Sequence, residues 1–418
     1  MPLGIYISVP FCRTKCSFCN FASGVFSRTF FDRYIEQLCS DIAAADCTAR
    51  QLGCELDRRV DSIYLGGGTP SVLAPDQLVQ IFAVLRESFE VEGGAEITVE
   101  CAPGTIGADI LEALLQSGVN RVSLGVQSFI DQECSSVGRL HTRAVTLDDI
   151  ARLRAAGIGN INIDLIAGLP HQTAKSWQLS LSETLSTGVP HVSVYMLEVD
   201  EDSRLGNELL AGGSRYHAHF VPDDDLTADL YLAACERLEL GGVKQYEISN
   251  FARPVTHGIG LWDSRHNLKY WQRQPYIGFG VDAHSMLTAG GELQAKGVQA
   301  VRFATPDSLE GFSTASPPAG FAALQNSRTF VVAHAALEES FFLGLRLNRG
   351  VSLPDLSHHF GPAMLAPYQP IIDDLRQAEL LEETSGCLRL TARGRLLSNE
   401  VFERFLKEDV AHHRDTEA

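Results

Sequence analysis

The sequence lacks an excess of basic residues, and it lacks long apolar runs. Its 418 residues include 34 lysines and arginines against 52 aspartates and glutamates, which gives a net charge of −18. Such a chain has no general electrostatic attraction to nucleic acid or anionic lipid, so we predict no nucleic-acid partner. No apolar run reaches the roughly 18 residues that a membrane-spanning helix needs. Residues 1–11, MPLGIYISVPF, do not resemble a secretory signal. We therefore expect a cytoplasmic protein, either free or peripheral to a membrane.

Ten cysteines are present, and a cytoplasmic location disfavours disulfides among them. Seven are scattered along the chain, and we interpret these as small packing residues. They are Cys39, Cys47, Cys54, Cys101, Cys134, Cys235 and Cys387. The other three lie close together in the segment PFCRTKCSFCNF. A tight group of this kind more often indicates metal binding or catalysis.

The first 200 residues alternate between apolar, β-branched segments and amphipathic segments, which predicts serial βα units with a parallel sheet. We expect a partial (β/α)6 barrel of the α/β class, with its chemistry at the carboxyl edge of the strands. Polar features that follow the predicted strands there are Cys12 to Cys19, Gly66 to Pro70, Glu100, Gln127 and Asp164. The predicted strands are 4–9, 61–67, 95–101, 121–127, 160–166 and 191–197, and the clearest amphipathic segments are 75–89, 108–117 and 173–187.

The pattern changes after residue 200. We predict a helix over 223–242, a further strand over 278–287, a loop or linker over 289–328 and a hairpin over 388–397. The expected domains are a barrel core over 1–220, a barrel extension over 221–328 and a mostly helical carboxyl-terminal unit over 329–418.

Cys12, Cys16 and Cys19 are separated by three and then two residues, directly after the first predicted strand. Thiolates hold iron–sulfur clusters, and one short loop can supply three of them. A [4Fe–4S] cluster would then keep one iron free of protein ligands. Zinc is an alternative, but structural zinc sites normally use four protein ligands, and no fourth follows at suitable spacing. Three unrelated buried cysteines are the remaining alternative.

The CxxxCxxC spacing after a first strand, with Phe18 before the last cysteine, resembles the radical S-adenosylmethionine superfamily. LGGGTPS at 65–71 resembles the glycine-rich strand end that binds the methionine part of the cofactor in that superfamily. Glycine permits such close backbone approach. The resemblance therefore implies two cofactors, a [4Fe–4S] cluster on the three cysteines and S-adenosylmethionine on its open iron.

The whole chain resembles the group that contains oxygen-independent coproporphyrinogen III dehydrogenase and the HemW-type haem chaperones. Shared landmarks are VECAPGT, RVSLGVQSF, GRLH, IDLIAGLPHQT, YEISNF, HN–YW and YIGFGVDAHS. By position, the resemblance implies that the cofactor pocket is formed by Tyr6, Phe18, Gly67, Gly68, Thr69, Glu100, Gln127, Arg139 and Asp164. Carboxylates at strand ends can accept bonds from ribose hydroxyls, and arginine suits a carboxylate. Each could instead be an ordinary polar residue of the sheet edge.

The residue at position 21 distinguishes the two members of this group, the dehydrogenase and the chaperone. The cysteine motif of the dehydrogenase resembles CxxxCxxCxC. Phe21 stands at the position of the additional, fourth cysteine of that motif. The sequence CNFAS at 19–23 is similar to the chaperone instead. We therefore favour haem chaperoning, with delivery of haem to membrane or respiratory proteins. A radical enzyme acting on a tetrapyrrole stays open as the alternative, and so does cleavage of S-adenosylmethionine. A low-potential electron donor and a homodimer are further expectations.

In the chaperones, the histidine of the HN–YW motif is implicated in haem binding, which the resemblance transfers to His266. Neutral imidazole ligates haem iron, aromatic rings stack on porphyrin, and cations pair with propionates. The aromatic candidates are Tyr270 and Trp271, and the cationic ones are Arg265, Lys269 and Arg273. The alternative is a polar loop with a core tryptophan.

Two departures accompany this motif. Relatives usually have cysteine where this chain has Ser264, and the loop over 253–264 is longer than usual. His257, inside that loop, is a possible substitute ligand. The carboxyl-terminal unit resembles the winged-helix-like domain of the same group. Its acidic context argues against a nucleic-acid role.

Overall fold

The computed structural model describes residues 1–406 except 202, 256–259 and 315–320. His257 therefore lies outside the described residues. The chain forms two compact units. The barrel unit comprises residues 1–245, 249–269 and 274–330, and the carboxyl-terminal unit comprises residues 246–248, 270–273 and those from 331 onward.

Six parallel strands, labelled β1 to β6, form the centre of the barrel unit. They lie side by side in chain order, as short right-handed βα connections dictate. Their central residues are nearly all buried, because helices and the barrel interior cover both faces. All six predicted strands are thereby confirmed. Their bounds are Leu3–Val9 (β1), Arg59–Gly67 (β2), Glu90–Cys101 (β3), Arg121–Gln127 (β4), Asn160–Ala167 (β5) and His191–Met196 (β6).

Amphipathic helices follow the strands, and the segments predicted over 75–89, 108–117, 173–187 and 223–242 are all helical. Thr173 caps the third of these through a bond from the Ser176 amide to its hydroxyl, 3.1 Å long. The helices of this part of the chain are Thr29–Ala43, Ala45–Gln51, Pro75–Ser88, Ala108–Gln116, Asp131–Ser136, Arg143–Ala155, Ala174–Thr187, Arg204–Leu210, Asp224–Leu240, Arg265–Trp271, Gly291–Gln294, Leu309–Thr314 and Phe321–Asn326.

The prediction of one continuous strand over 278–287 is wrong, because this segment contributes to two separate strands. Tyr276–Phe279 pairs in parallel with β1, and the chain then turns into the antiparallel strand His284–Ala289. Gly280 makes the turn with a φ of 96°, and Asp282 also has a positive φ of 54°. A Cβ on Gly280 would lie 2.4 Å from the Ser8 carbonyl oxygen, so only glycine fits there.

The linker predicted over 289–328 is also wrong in part. Val298–Ala304 is a strand that pairs antiparallel with His284–Ala289. Its alternating apolar residues were obscured by the glycine, alanine and serine around it. Further short strands are Cys54–Glu55, Lys244–Gln245, Asn250–Ala252 and Thr329–Val332.

The carboxyl-terminal unit is mostly helical, with a three-stranded antiparallel sheet in the order Val351–Ser352, Cys387–Leu390, Leu381–Thr384. The hairpin predicted over 388–397 is wrong, because a helix begins at Ala392 after a cap by the Thr391 hydroxyl. Phe341 and Phe405 stack in its core, 4.5 Å apart. Its helices are Ala333–Gly344, Leu353–Phe360, Pro362–Leu365, Gln369–Gln377, Ala392–Leu396 and Ser398–Glu403.

The scattered cysteines are mostly packing residues, as predicted. Cys39, Cys54, Cys101 and Cys134 are buried, and Cys235 and Cys387 are half-buried. Cys47 is the exception, since it is exposed on the outer side of Ala45–Gln51. A single cysteine carries no periodic signal that could have distinguished this case.

Candidate cofactor site

The three predicted ligand cysteines lie in a loop that begins at the carboxyl end of β1. The loop closes on itself, because the Cys12 amide donates to the Gly24 carbonyl at 2.9 Å and the Gly24 amide donates to the Pro10 carbonyl at 2.9 Å. Cys16 is buried, whereas Cys12 and Cys19 are half-buried. The three thiols are thus held at the sheet edge, facing the ends of the neighbouring strands.

The glycine-rich end of β2 packs directly against this loop. The Gly68 amide donates to the Val9 carbonyl and the Thr69 amide to the Phe11 carbonyl, both at 2.8 Å. A Cβ on Gly68 would lie 2.8 Å from each of those two oxygens and 3.0 Å from the Cys12 sulfur. Gly67 has a φ of 97°, a backbone conformation that favours glycine. Gly68 is therefore required by the contact between the strand end and the cysteine loop, and Gly67 is favoured by its backbone conformation.

Hydrogen-bonding groups approach all three sulfurs, and the Ser23 hydroxyl lies 3.9 Å from the Cys19 sulfur. The Thr69 hydroxyl lies 3.7 Å from the Cys12 sulfur, and an Arg139 guanidinium nitrogen lies 3.6 Å from the Cys16 sulfur. Burial raises the pKa of the Cys12 thiol, the hydroxyls of Thr69 and Ser23 lower it, and Cys19 and Cys16 raise it further. The donors favour the thiolate form that metals require.

The thiols are not arranged around a single ion. In the part of the chain that the structure describes, no three His, Cys, Asp or Glu side chains converge closely enough to hold one metal ion. A zinc site would need its ligands within about 2.3 Å of a common point. In a [4Fe–4S] cluster, each cysteine binds a different iron, so the three sulfurs stand farther apart. Among the described residues, the three cysteines therefore do not form a preassembled site for one metal ion.

Gln127 and Arg139 come together at the end of β4, beside the cysteine loop. A Cβ on Gly125 of β4 would lie 2.8 Å from Arg139 Nη2 and 3.1 Å from Gln127 Nε2, so both side chains close over that glycine. Arg139 also donates to the Gly125 carbonyl. Gln127 ends β4 with a positive φ of 67°. Glu100 reaches the same edge from β3, within 3.0 Å of the Cβ position of Gly66.

The two predicted carboxylates are partly desolvated. Burial and the nearby Asp164 raise the pKa of Glu100 to about 7, although a 2.8 Å bond from the Tyr64 hydroxyl lowers it. Burial likewise raises the pKa of Asp164, and bonds from the Ser193, Ser123 and Asn162 side chains oppose the rise. Both groups thus remain strong acceptors but release protons less readily than exposed carboxyls.

A network of polar side chains on β4 to β6 holds Asp164 in position. The sequence analysis did not predict this network. Asn162 donates to Asp164 at 2.7 Å, Ser123 donates to it at 3.0 Å, and His191 bonds to Asn162 at 2.6 Å. Asn162, Ser123 and His191 are buried, and Asp164 is half-buried. The available signal was the polar residue at every second position of β4 to β6, which is unusual in strands covered on both faces.

Phe18 and Tyr6 lie in apolar or aromatic surroundings. Phe18 packs against Val137, Ile166 and Leu169. The Tyr6 ring stacks 6.3 Å from Tyr64 inside the barrel, and its hydroxyl oxygen lies 3.5 Å from the Cβ position of Gly67. Beside the loop, a cavity of about 270 Å³ opens at the sheet edge, with Arg13, Thr14, Thr69, Gly104, Arg139 and His141 among its lining residues.

His266 lies deep inside the barrel unit. It is 1% exposed, its Nδ1 is 3.1 Å from the Ser62 hydroxyl, and its ring lies 5.4 Å from the Tyr64 ring. Ser62 precedes Gly67 by five residues on β2, which is roughly 16 Å along the strand. Burial and then Lys269 and Arg121 lower the pKa of His266 to about 3, so it is neutral.

The helix Arg265–Trp271 is anchored at its start by Glu96, whose carboxylate accepts from the Arg265 and His266 amides at 3.2 Å. Lys269 is 2% exposed and forms a 2.7 Å ion pair with Asp61. Arg265 donates to the Gly94 carbonyl at 2.7 Å. These two predicted partners of propionates already bind groups of the protein.

Tyr270, Trp271 and Arg273 belong to the carboxyl-terminal unit. The Arg346 guanidinium lies 4.2 Å from the Trp271 ring centroid, and Arg273 forms a 2.7 Å ion pair with Glu339. Ser264 is fully buried. The haem roles given to the HN–YW segment stay predictions.

Known protein families match part of each of the two units. The model of the radical SAM superfamily matches residues 6–182, and that of the HemN carboxyl-terminal domain matches residues 333–397. The solved structure of coproporphyrinogen III oxidase (HemN) from Escherichia coli superposes with a TM-score of 0.78, covering 97% of this chain and 90% of that chain at 22% identity. At that identity the likeness shows a shared fold.

No helix among the described residues is long and apolar enough to cross a membrane.

Curated relatives match over almost the whole chain. Heme chaperone HemW of Lactococcus lactis is 30% identical over 409 residues, covering 98% of each chain. Heme chaperone HemW of Bacillus subtilis is 31% identical over 404 residues, covering 96% of this chain and 99% of that protein. A mitochondrial radical S-adenosyl methionine domain-containing protein 1 of Danio rerio is 30% identical over 358 residues, covering 83% and 73%. With its radical SAM barrel and its near-complete alignment to these proteins, this chain belongs to the HemW heme chaperone family.

Proposed function

We propose that this protein is a haem chaperone that carries a [4Fe–4S] cluster with S-adenosylmethionine and delivers haem to haem-requiring respiratory proteins. The observation that carries the proposal is the near-complete alignment with HemW proteins, combined with an intact cysteine loop packed on the glycine edge. Phe21, in place of the additional cysteine, disfavours the porphyrinogen dehydrogenase.

The cluster would be held by the thiolates of Cys12, Cys16 and Cys19. When bound, it supplies a one-electron reductant with one iron open to an amino acid. Thr69 and Arg139 donate toward the sulfurs, which stabilises negative charge on them. Gly68 keeps the strand end close enough to the loop for this contact.

S-adenosylmethionine would lie along the edge from Gly67 to Asp164. The backbone at Gly67, Gly68 and Thr69 is suited to the methionine amino group, and Arg139 with Gln127 to its carboxylate. Glu100 and Asp164 are suited to the ribose hydroxyls, because both are partly desolvated acceptors. Phe18 and Tyr6 would border the adenosyl part. These side chains bind and orient the cofactor, and nothing in the assignment requires its cleavage.

Haem is proposed to use the HN–YW segment, with His266 as the iron ligand. Since His266 is buried, haem can reach it only if the helix Arg265–Trp271 releases Ser62 and Glu96. Its neutral imidazole is the correct form for ligation. A buried ligand predicts slow haem uptake that depends on this opening.

The cluster is tested by anaerobic reconstitution with iron and sulfide, followed by electron paramagnetic resonance with and without S-adenosylmethionine. We expect a reduced [4Fe–4S] signal that changes when the cofactor is added. Serine substitution of each of the three cysteines should abolish it, whereas Cys47→Ser, at an exposed cysteine outside the loop, should not. A wild-type protein without the signal would refute the cluster.

Haem binding is tested by titration followed at the Soret band. We expect His266→Ala to weaken binding and to shift the band. Ser62→Ala serves as the matched control, because it removes the Nδ1 partner and leaves the imidazole. It should preserve affinity and speed uptake. Equal binding by wild type and His266→Ala would remove His266 from the proposal.

Delivery is tested by mixing haem-loaded protein with apo-forms of respiratory haem proteins in membrane vesicles. Transfer of the Soret signal to these vesicles is expected, and no transfer to vesicles that lack the apo-proteins.

The alternative enzyme activity is tested separately. Anaerobic incubation with coproporphyrinogen III, S-adenosylmethionine and reductant should yield no protoporphyrinogen IX. Formation of that product would favour the enzyme instead. An electron donor and a homodimer stay predictions.

A further inference from the structure

Two histidines form a close pair on the surface of the barrel unit. His171 lies in the turn after β5, and His217 lies in the short 3₁₀ segment Arg215–Phe220. Nε2 of His171 is 3.0 Å from Nδ1 of His217, and the ring centroids are 4.9 Å apart. His171 is half-buried and His217 is exposed.

The two segments are joined by more than the imidazoles. The His171 amide donates to the Phe220 carbonyl at 3.0 Å. The Phe220 ring lies 4.0 Å from the His171 ring and 4.0 Å from the His219 ring. The pair is thus held from the backbone on one side and by an aromatic ring on the other, which restricts how far its nitrogens can separate.

The backbone is strained at both histidines. His171 has a φ of 67° and His217 a φ of 58°, and the adjacent Tyr216 has a φ of 53°. Such a conformation is unfavourable for a residue other than glycine, and such strain concentrates at functional sites. Glycine would relieve it at no steric cost. Retaining an imidazole at two strained positions that meet is a reason to expect a role for the pair.

We propose that His171 and His217 chelate a divalent late transition-metal ion, of the nickel or copper class. Imidazole nitrogens lie about 2.0–2.1 Å from such an ion, so two nitrogens 3.0 Å apart subtend an angle of about 90° at the metal. That angle suits square-planar or octahedral coordination better than the tetrahedral coordination of zinc. On binding, the hydrogen between the two nitrogens would move to the other ring nitrogen of its imidazole, and the metal would lie to one side of the line that joins the pair.

A third histidine lies nearby, because His219 is exposed and its ring centroid is 4.0 Å from that of Phe220. Among the described residues, no three ligands converge on one point, so the site is a histidine pair completed by water. It uses none of the residues proposed for the cluster, S-adenosylmethionine or haem.

The test is calorimetric titration with nickel chloride of the full chain, produced without a histidine tag and loaded with its cluster. A second background with Cys12, Cys16 and Cys19 changed to serine excludes binding by those thiols. The variants are His171→Asn and His217→Asn, since asparagine tolerates the left-handed backbone and lacks the imidazole. His284→Asn is the matched control, because His284 is exposed and its Nε2 lies 3.7 Å from the Asp282 carboxylate.

We expect one nickel ion per chain in both backgrounds, a loss of affinity of at least about 10-fold in each pair variant, and no change in the control. Nickel binding that is equal in wild type and both pair variants would overturn the proposal. So would a control variant weakened as much as the pair variants. Loss of haem binding with nickel binding retained in His217→Asn would also overturn it and would place the pair in haem handling.

Discussion

Replacing Glu100 by glutamine should stabilise the cofactor-free protein above neutral pH and have little effect in acid. Burial and Asp164 raise the pKa of Glu100 from 4.5 to about 7, so its ionisation opposes folding. The folded state binds the proton more tightly, and the stability this contributes is fully present below pH 4.5 and lost as the pH rises to 7. The shift of about 2.5 pH units corresponds to about 3 kcal/mol.

The gain in the free energy of unfolding for Glu100→Gln should therefore grow from about 1 kcal/mol at pH 5 to about 3 kcal/mol at pH 8. The glutamine oxygen can still accept from Tyr64, so the 2.8 Å bond is kept. Loss of the charge near Arg121 makes these values upper limits.

The assay is urea unfolding followed by tryptophan fluorescence, because Trp177 is fully buried in the barrel unit and donates to the Leu230 carbonyl at 2.7 Å. Glu112→Gln, at an exposed glutamate of the helix Ala108–Gln116, is the control and should show no such pH dependence. A gain that is equal at pH 5 and pH 8, or a loss at pH 8, would refute the reasoning about Glu100.

Three further predictions concern packing and charge. Gly68→Ala should prevent cluster reconstitution, measured by absorbance, because its Cβ would lie 2.8 Å from two carbonyl oxygens, whereas Gly93→Ala meets nothing within 4 Å and should reconstitute normally. Lys269→Met should lower the free energy of unfolding by about 2–4 kcal/mol by leaving Asp61 unpaired, and adding Asp61→Asn should restore much of it in urea titrations. His266 has a pKa lowered from 6.5 to about 3, so its contribution is present above pH 6.5 and lost as the pH falls toward 3. His266→Gln should flatten this acid loss in unfolding measured between pH 7.5 and 4.5, and an unchanged slope would contradict the burial argument.

Much of the barrel could be predicted because its signals are local. The β-branched runs of β1 to β6 and the amphipathic segments between them each indicate their own structure. The cysteine spacing and the glycine-rich segment after β2 are local too. Their meeting at one edge follows from the parallel topology alone, and the contacts of Gly68 with the cysteine loop bear this out.

The elements that were predicted wrongly depend on distant partners. Val298–Ala304 is a strand because His284–Ala289 offers it an edge, although its neighbours in sequence have the composition of a linker. The two strands around Gly280 look like one in sequence, because a single glycine between apolar residues does not say whether the chain turns. In both cases tertiary pairing overrode local preference.

The sequence by itself determined the cysteine loop, the order of the parallel strands and the convergence of Gly67, Glu100 and Asp164 on one edge, since spacing and chain order are one-dimensional properties. Only the tertiary structure decided the surroundings of each side chain. It placed His266 roughly 16 Å along β2 from that edge, buried and bonded to Ser62. The burial of a side chain and its hydrogen-bond partners depend on residues far apart in the chain, so no local sequence pattern predicts them.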